Sequence, residues 1–110
     1  MFNLEYNIKL GQGDTEEKEV VLTRNGVGID LTDYIISFYM KNDFGTRFTI
    51  PCTNGIVTPR SRGGVIIPFT YVETTTPGEF EGQFIIVDLF GKALTYPLGS
   101  YISIRIYESV

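Results

Sequence analysis

A chain of 110 residues with a formal net charge of −4 and no histidine makes one domain, residues 1–110, long enough to bury a core without staples. The acidic balance argues against nucleic acid, whose phosphates ask for a basic stripe. The missing imidazole removes the usual general base near neutral pH, and with it the His-assisted Ser and Cys nucleophiles.

Eight Phe, seven Tyr, twelve Gly and five Pro suit short pleated strands joined by tight turns, so the composition is all-β. In chain order, Phe2, Leu4, Tyr6, Ile8 and Leu10 alternate with Asn3, Glu5, Asn7 and Lys9, a first strand with one wet side. Gly11 to Asp14 is a loop, and Glu16, Glu17 and Glu19 crowd its exit. Val20 to Thr23 is a second strand closed by Asn25-Gly26, the strongest short-range hairpin signal. Val27, Ile29 and Leu31 form a short extended piece, and Asp30 to Asp33 turns the chain. The next strand points Tyr34, Ile36, Phe38 and Met40 one way and Ile35, Ser37, Tyr39 and Lys41 the other. Asn42 to Gly45 reverses it into a return strand carrying Phe48, Ile50 and Cys52.

Ile56-Val57 predicts a short strand and Pro59 to Gly64 a mobile loop. Val65, Ile67 and Phe69 open another strand, which Pro68 marks as an edge or an end. Tyr71 to Thr76 is a polar connection, and helix is nearly absent, with room for a single turn only at Asp30 to Tyr34 or Tyr71 to Thr75. Pro77-Gly78 then opens a long hairpin in which Phe80, Gly82, Phe84 and Ile86 alternate with Glu79, Glu81 and Gln83, before Ile85 and Val87 make the strand apolar on both faces. Phe90-Gly91-Lys92 reverses it, and Ala93 to Tyr96 returns as far as Pro97. A last strand holds Ile102, Ile104 and Ile106 against Tyr101, Ser103, Arg105 and Tyr107. About eight short strands at spacings of roughly ten residues define a β-sandwich or barrel.

Little in the chain points to chemistry. The acidic cluster after the first loop does not have the alternating oxygen ligands and closing bidentate glutamate of a calcium loop, and a solvated acidic edge is expected. Glu79 and Glu81 share a strand face turned to water, where carboxylates stay ionised. Neither Gly11-Gln12-Gly13 nor Gly63-Gly64 leads into a helix as a phosphate loop would. Arg60 and Arg62 read as a solvated pair. Cys52 is the only cysteine, so no internal disulfide forms, and a buried, inert thiol is expected. No apolar run approaches the ~20 residues of a membrane span, and the N-terminus does not resemble a signal peptide, which predicts a soluble protein made in a cytoplasm. No catalytic, cofactor-binding or metal-ligating residue is expected, and so no enzyme. The candidates for contact are aromatic. Tyr39, Tyr101 and Tyr107 lie opposite the apolar rows of their strands, and Phe2, Leu4 and Tyr6 mark an N-terminal strand able to add to a neighbour's sheet. Protein is the favoured partner over carbohydrate, because there is no tryptophan to serve as a stacking platform.

Five segments carry a resemblance in their order and spacing: Gly13-Asp14-Thr15, Ile29-Asp30-Leu31-Thr32, Phe38-Tyr39-Met40-Lys41, the approach from Thr75 to Phe80, and the hairpin from Leu89 to Pro97. With the closing Ile102, Ile104 and Ile106, residues 8 to 108 resemble the N-terminal domain of phage baseplate upper proteins and related phage tail proteins. The resemblance implies an Ig-like antiparallel β-sandwich without catalysis or cofactor. It implies a structural building block of a tailed-phage or prophage virion, made in the bacterial host cytoplasm, whose partners are other virion proteins and copies of itself. Two alternatives stand beside it, a head decoration or head–tail joining protein and a carbohydrate-binding adhesion module. Longer members continue into a linker and a receptor-binding platform, so this sequence corresponds to the module alone. The Pro59 to Gly64 loop departs from the family in being longer and more basic.

Overall fold

The structure is a computed structural model describing residues 7–109. β1 (Asn7–Gly11) turns Ile8 and Leu10 inward. β2 (Glu16–Val21) is followed by β3 (Thr23–Arg24) and β4 (Val27–Gly28), which are joined by Asn25 and Gly26 at φ 54° and 80°. Two successive left-handed residues are what a two-residue hairpin turn demands. β5 (Ile35–Lys41) and β6 (Arg47–Pro51) make the next hairpin. β7 (Thr53–Asn54) and a 3-10 turn at Arg60–Arg62 lead to β8 (Gly64–Phe69). The single helical turn α1 (Tyr71–Thr74) starts at a capping box, in which the Thr70 hydroxyl accepts from the Val72 N–H and the Glu73 carboxylate from the Thr70 N–H. β9 (Gly78–Val87), β10 (Ala93–Tyr96) and β11 (Ile102–Tyr107) complete the chain.

The large sheet runs β1-β11-β9-β5-β6, with β10 also on β9; a second sheet runs β2-β8-β7, and β3-β4 stands as its own ribbon. β9 is the axis. One side pairs with the whole of β5, from Ile35 opposite Val87 to Lys41 opposite Glu81. The other side is divided: β11 takes Gly78 to Gly82 and β10 takes Phe84 to Val87. Gln83 falls at the division, and its side-chain amide donates to the Ser100 carbonyl at 3.0 Å.

The two sheets enclose the core as a β-sandwich. Ile36, Phe38, Met40, Phe80, Phe84, Ile86, Ile102, Ile104 and Ile106 of the large sheet meet Val65, Ile67 and Phe69 of β8. Phe38 lies at the centre, 4.9 Å from the Phe84 ring and 6.1 Å edge-on from Phe69, geometry that adds to the area each ring buries. Gly82 makes that possible, since a Cβ there would come within 2.3 Å of Phe38 Cζ and 2.7 Å of Ile104 Cδ1.

Several expectations need correction. Among the described residues eleven strands replace the roughly eight expected, because the chain also pairs in two-residue pieces (β3, β4, β7) too short for alternation to reveal. The sandwich is not wholly antiparallel, for β1 runs parallel to β11. The first and last strands have no hairpin between them to fix their direction. β2 begins at Glu16, so the acidic cluster is strand and not loop exit. Ile56 and Val57 are exposed and unpaired as strand. The Pro59 to Gly64 loop is tied down, with the Leu31 N–H donating to the Arg60 carbonyl and the Leu22 N–H to the Gly63 carbonyl. Gly64 fits only without a side chain, since a Cβ would sit 1.7 Å from the Thr58 carbonyl oxygen. Pro68 does mark an edge, because β7 covers only Val65 and Ile66 of β8.

Gly82→Ala should overpack this centre and cost about 1–3 kcal/mol, lowering the melting temperature by roughly 5–15 °C. Denaturant titration of the wild type and the variant checks it. A loss below about 0.5 kcal/mol would mean that the Phe38 ring is not fixed over Gly82.

Candidate functional site

The outer face of the large sheet is laid out in rows by strand register. Ile35, Val87 and Ala93 form one row, and Pro51, Ser37, Ile85 and Thr95 the next. Beyond Thr49, Tyr39 and Gln83 comes Arg47, Lys41, Glu81, Ser103 and Asn7, then Glu79, Arg105 and Lys9. The face thus grades from apolar at one end to charged at the other. Two opposite charges meet on it, since Arg105 pairs with Glu79.

Of the residues expected to make contacts, Tyr39 and Tyr101 come together. With Lys41, Glu81, Gln83 and Ser100 they line a shallow hollow of about 170 Å³, below the range of about 300–1,000 Å³ usual for small-molecule pockets. Tyr107 stands apart, with the Arg105 guanidinium 5.5 Å from its ring centroid. Phe2, Leu4 and Tyr6 lie outside the described residues.

Exposed apolar groups missed by the sequence reading gather at the turns. From Asn42 to Thr46 and from Asp88 to Lys92 the chain makes the same turn twice. Asn42 Oδ1 accepts from the Phe44 and Thr46 N–H groups, and Asp88 Oδ1 accepts from the Phe90 and Lys92 N–H groups, all at 2.8–2.9 Å. Gly45 and Gly91 hold positive φ in both. Each turn presents a phenylalanine to solvent, Phe44 92% and Phe90 89% exposed. The signal was legible as two Phe-Gly pairs, each beginning two residues after the residue that opens its turn.

A larger cleft of about 670 Å³ opens between the Thr23 to Gly26 hairpin and the segment Ala93 to Leu98. The Tyr96 hydroxyl accepts from the Thr23 N–H at 3.3 Å across it. Leu94 and Leu98 are exposed there.

The remaining polar candidates have structural posts. Glu19 Oε2 accepts from the Ile56, Val57 and Thr58 N–H groups at 3.0, 2.8 and 3.0 Å, so the acidic cluster fastens a loop. Among the described residues no three Asp, Glu, Cys or His side chains gather as a metal site needs, and no helix is long and apolar enough to cross a membrane. Asp30 accepts from the Thr32 side chain and N–H, the latter at 3.0 Å, which holds its carboxyl below the usual range. The Arg60 guanidinium donates to the Tyr34 carbonyl at 3.0 Å, so it is not the solvated residue expected. Cys52 is half-buried, and loss of water pushes its thiol up from 9.0 to about 12, with Arg60 opposing the shift.

No family model matches this chain, and no curated protein does. The fold is a β-sandwich. The chain is similar to the N-terminal domain of phage TP901-1 ORF48, with a TM-score of 0.58 at 12% identity, across 94% of this chain and 84% of that one.

Glu19→Ala should strip three backbone donors of their acceptor and cost about 1 kcal/mol. Amide exchange should quicken at Ile56, Val57 and Thr58 and stay slow in β5. Equal exchange in both proteins would show that the loop does not depend on Glu19. For Cys52, a rise from 9.0 to about 12 means roughly a thousandfold less thiolate near pH 8, with reactivity following thiolate content. A disulfide reagent should label the native protein that much more slowly than the denatured one. The raised value also makes the thiol's contribution to stability whole below pH 9 and lost as the pH climbs through about 12. Native labelling at the denatured rate would place Cys52 in water.

Proposed function

We propose that this chain is a non-catalytic structural building block of a tailed-phage or prophage virion, placed in the tail or baseplate and acting through protein–protein contacts. The observation that carries the reading is the likeness of nearly the whole chain to a domain of a phage protein, covering 94% of this chain. The segments that resemble phage baseplate upper proteins support it through what they do here. Asp30 and Thr32 close a turn on each other, Asp14 is anchored by the Thr74 hydroxyl at 2.8 Å, and Gly91 makes a tight reversal. These residues build the brick and leave its surface for contacts.

That surface is suited to neighbours. The graded outer face, with Ile35 69% exposed at its apolar end, offers both burial and charge for orientation. In a particle of fixed symmetry, modest contacts per subunit are multiplied by the number of copies.

Particles purified from the strain that encodes this chain should contain it at a fixed ratio to the tail proteins, as read by quantitative mass spectrometry. Light scattering of the isolated protein should show self-association at the apolar face, weakened by Ile35→Lys. Absence from purified particles would overturn the reading. So would binding on a glycan array that Tyr39→Ala or Tyr101→Ala abolishes, which would make the hollow a sugar site.

A further inference from the structure

The turn that follows β9 is built to protrude. Asp88 Oδ1 accepts from the Phe90 and Lys92 N–H groups at 2.8 and 2.9 Å, and Gly91 supplies φ 82°. A short side chain that satisfies two backbone donors fixes a loop without help from the core. Leu89 and Phe90 are left 75% and 89% exposed. Beside them lies a hollow of about 230 Å³ whose walls include Asp33, Tyr34, Leu89 and Phe90. The wall at Tyr34 is firm: its ring packs against the core, its N–H donates to the Leu31 carbonyl, and its carbonyl accepts from Arg60. Asp33 stands exposed at φ 67°, a left-handed conformation that aspartate adopts more readily than most side chains.

A projecting ring and a recess thus adjoin at one end of the large sheet, next to Ile35, which pairs with Val87. Such a pair is self-complementary across a two-fold axis, where each copy's projection enters the other's recess. A cavity of about 150 Å³ already holds benzene, so the hollow has room for one phenyl ring. The charges select which ring it takes. Exposed Lys92 lies two residues past Phe90, and the exchange carries it toward Asp33 of the second copy. Phe44 sits on the twin turn but follows exposed Asp43, which would bring like charge against Asp33. The area is also adequate. An aromatic side chain carries about 150–250 Å², so Phe90, Leu89 and Ile35 together offer on the order of 500 Å² of the roughly 800 Å² per partner that a stable contact buries.

We propose that two copies of this chain associate through a two-fold contact centred on Phe90. Each Phe90 ring seats in the other copy's hollow against Tyr34, and each Lys92 pairs with the other copy's Asp33. The inference rests on the building-block reading in taking a second copy as the partner, and it supplies the contact and its symmetry. Apolar burial at the rings gives the affinity, and the two charge pairs fix the orientation.

Sedimentation equilibrium of the full chain should show a dimer whose dissociation constant rises at least tenfold in Phe90→Ala and is unchanged in Phe44→Ala. Both rings are exposed, so neither substitution opens the core. Charge reversal gives a second measurement. Asp33→Lys alone and Lys92→Asp alone should each be monomeric, because both charge pairs then become like-charged. An equimolar mixture of those two variants should dimerise, since every pair is again opposite. A monomeric wild type, a dimer indifferent to Phe90→Ala, or a mixture that stays monomeric would overturn the contact. Loss of association in Phe44→Ala would overturn it in favour of head-to-tail stacking. The outcome is separate from particle composition: a dimer that depends on Phe90 upholds the contact even where purified particles lack the chain.

Discussion

The structure depends on one close approach, the Phe38 ring laid across Gly82. β9 is hydrogen-bonded on both sides to three strands, so its backbone position is fixed by β5, β10 and β11 together. A side chain at Gly82 would push Phe38 outward, and Phe38 also touches Phe84 and Phe69. The contact with Phe69, beside those of Val65 and Ile67, couples the large sheet to the β2-β8-β7 sheet. Interiors packed at crystal density have no slack to absorb such a shift. The glycine costs some strand propensity, and the clustered aromatic rings more than offset it.

The polar side chains follow a second rule: carboxylates and amides are used to satisfy backbone. Asp30, Asn42 and Asp88 each accept the N–H two residues on, and Asn42 and Asp88 also take the one four residues on. Glu19 does the same across space for three N–H groups. Short side chains of this type compete well for nearby donors. An acidic composition is thereby reconciled with a surface on which carboxylates serve turns and loops, and the groups that resemble a calcium cluster in sequence serve a strand and its neighbour.

What the sequence made legible follows from this. Strands with a dry face and a wet face were readable at Ile36, Phe38 and Met40 and at Ile102, Ile104 and Ile106, because alternation survives wherever one side meets water. The Asn25-Gly26 and Asn42 to Gly45 turns were readable from backbone demands alone. The two-residue strands and the parallel β1–β11 pair were not, since they are decided by which segments meet in space. Glu19 was misjudged for the same reason: its partners lie 37 to 39 residues away. Of the contact candidates, the pairing of Tyr39 with Tyr101 depends on the loop from Pro97 to Ser100, which no periodicity announces. The apolar end of the outer face was hinted at by Ile85 and Val87, apolar where Glu79 and Glu81 had been charged.

The edges of the large sheet connect fold to assembly. β6 is one edge, and it carries Arg47 and Pro51, residues that discourage a further strand. Among the described residues the other edge is uneven, formed by β1 beside β11 and by β10 beyond it. Nothing of that protective kind lies in Ala93 to Tyr96. A strand edge without charge or proline is a liability in an isolated domain, and it is tolerated where something covers it. A domain whose strand edges are covered meets its neighbours through its faces and turn tips. In a particle assembled from many copies, that leaves the pairing of subunits to side-chain complementarity and withholds the open edge through which copies would polymerise without limit.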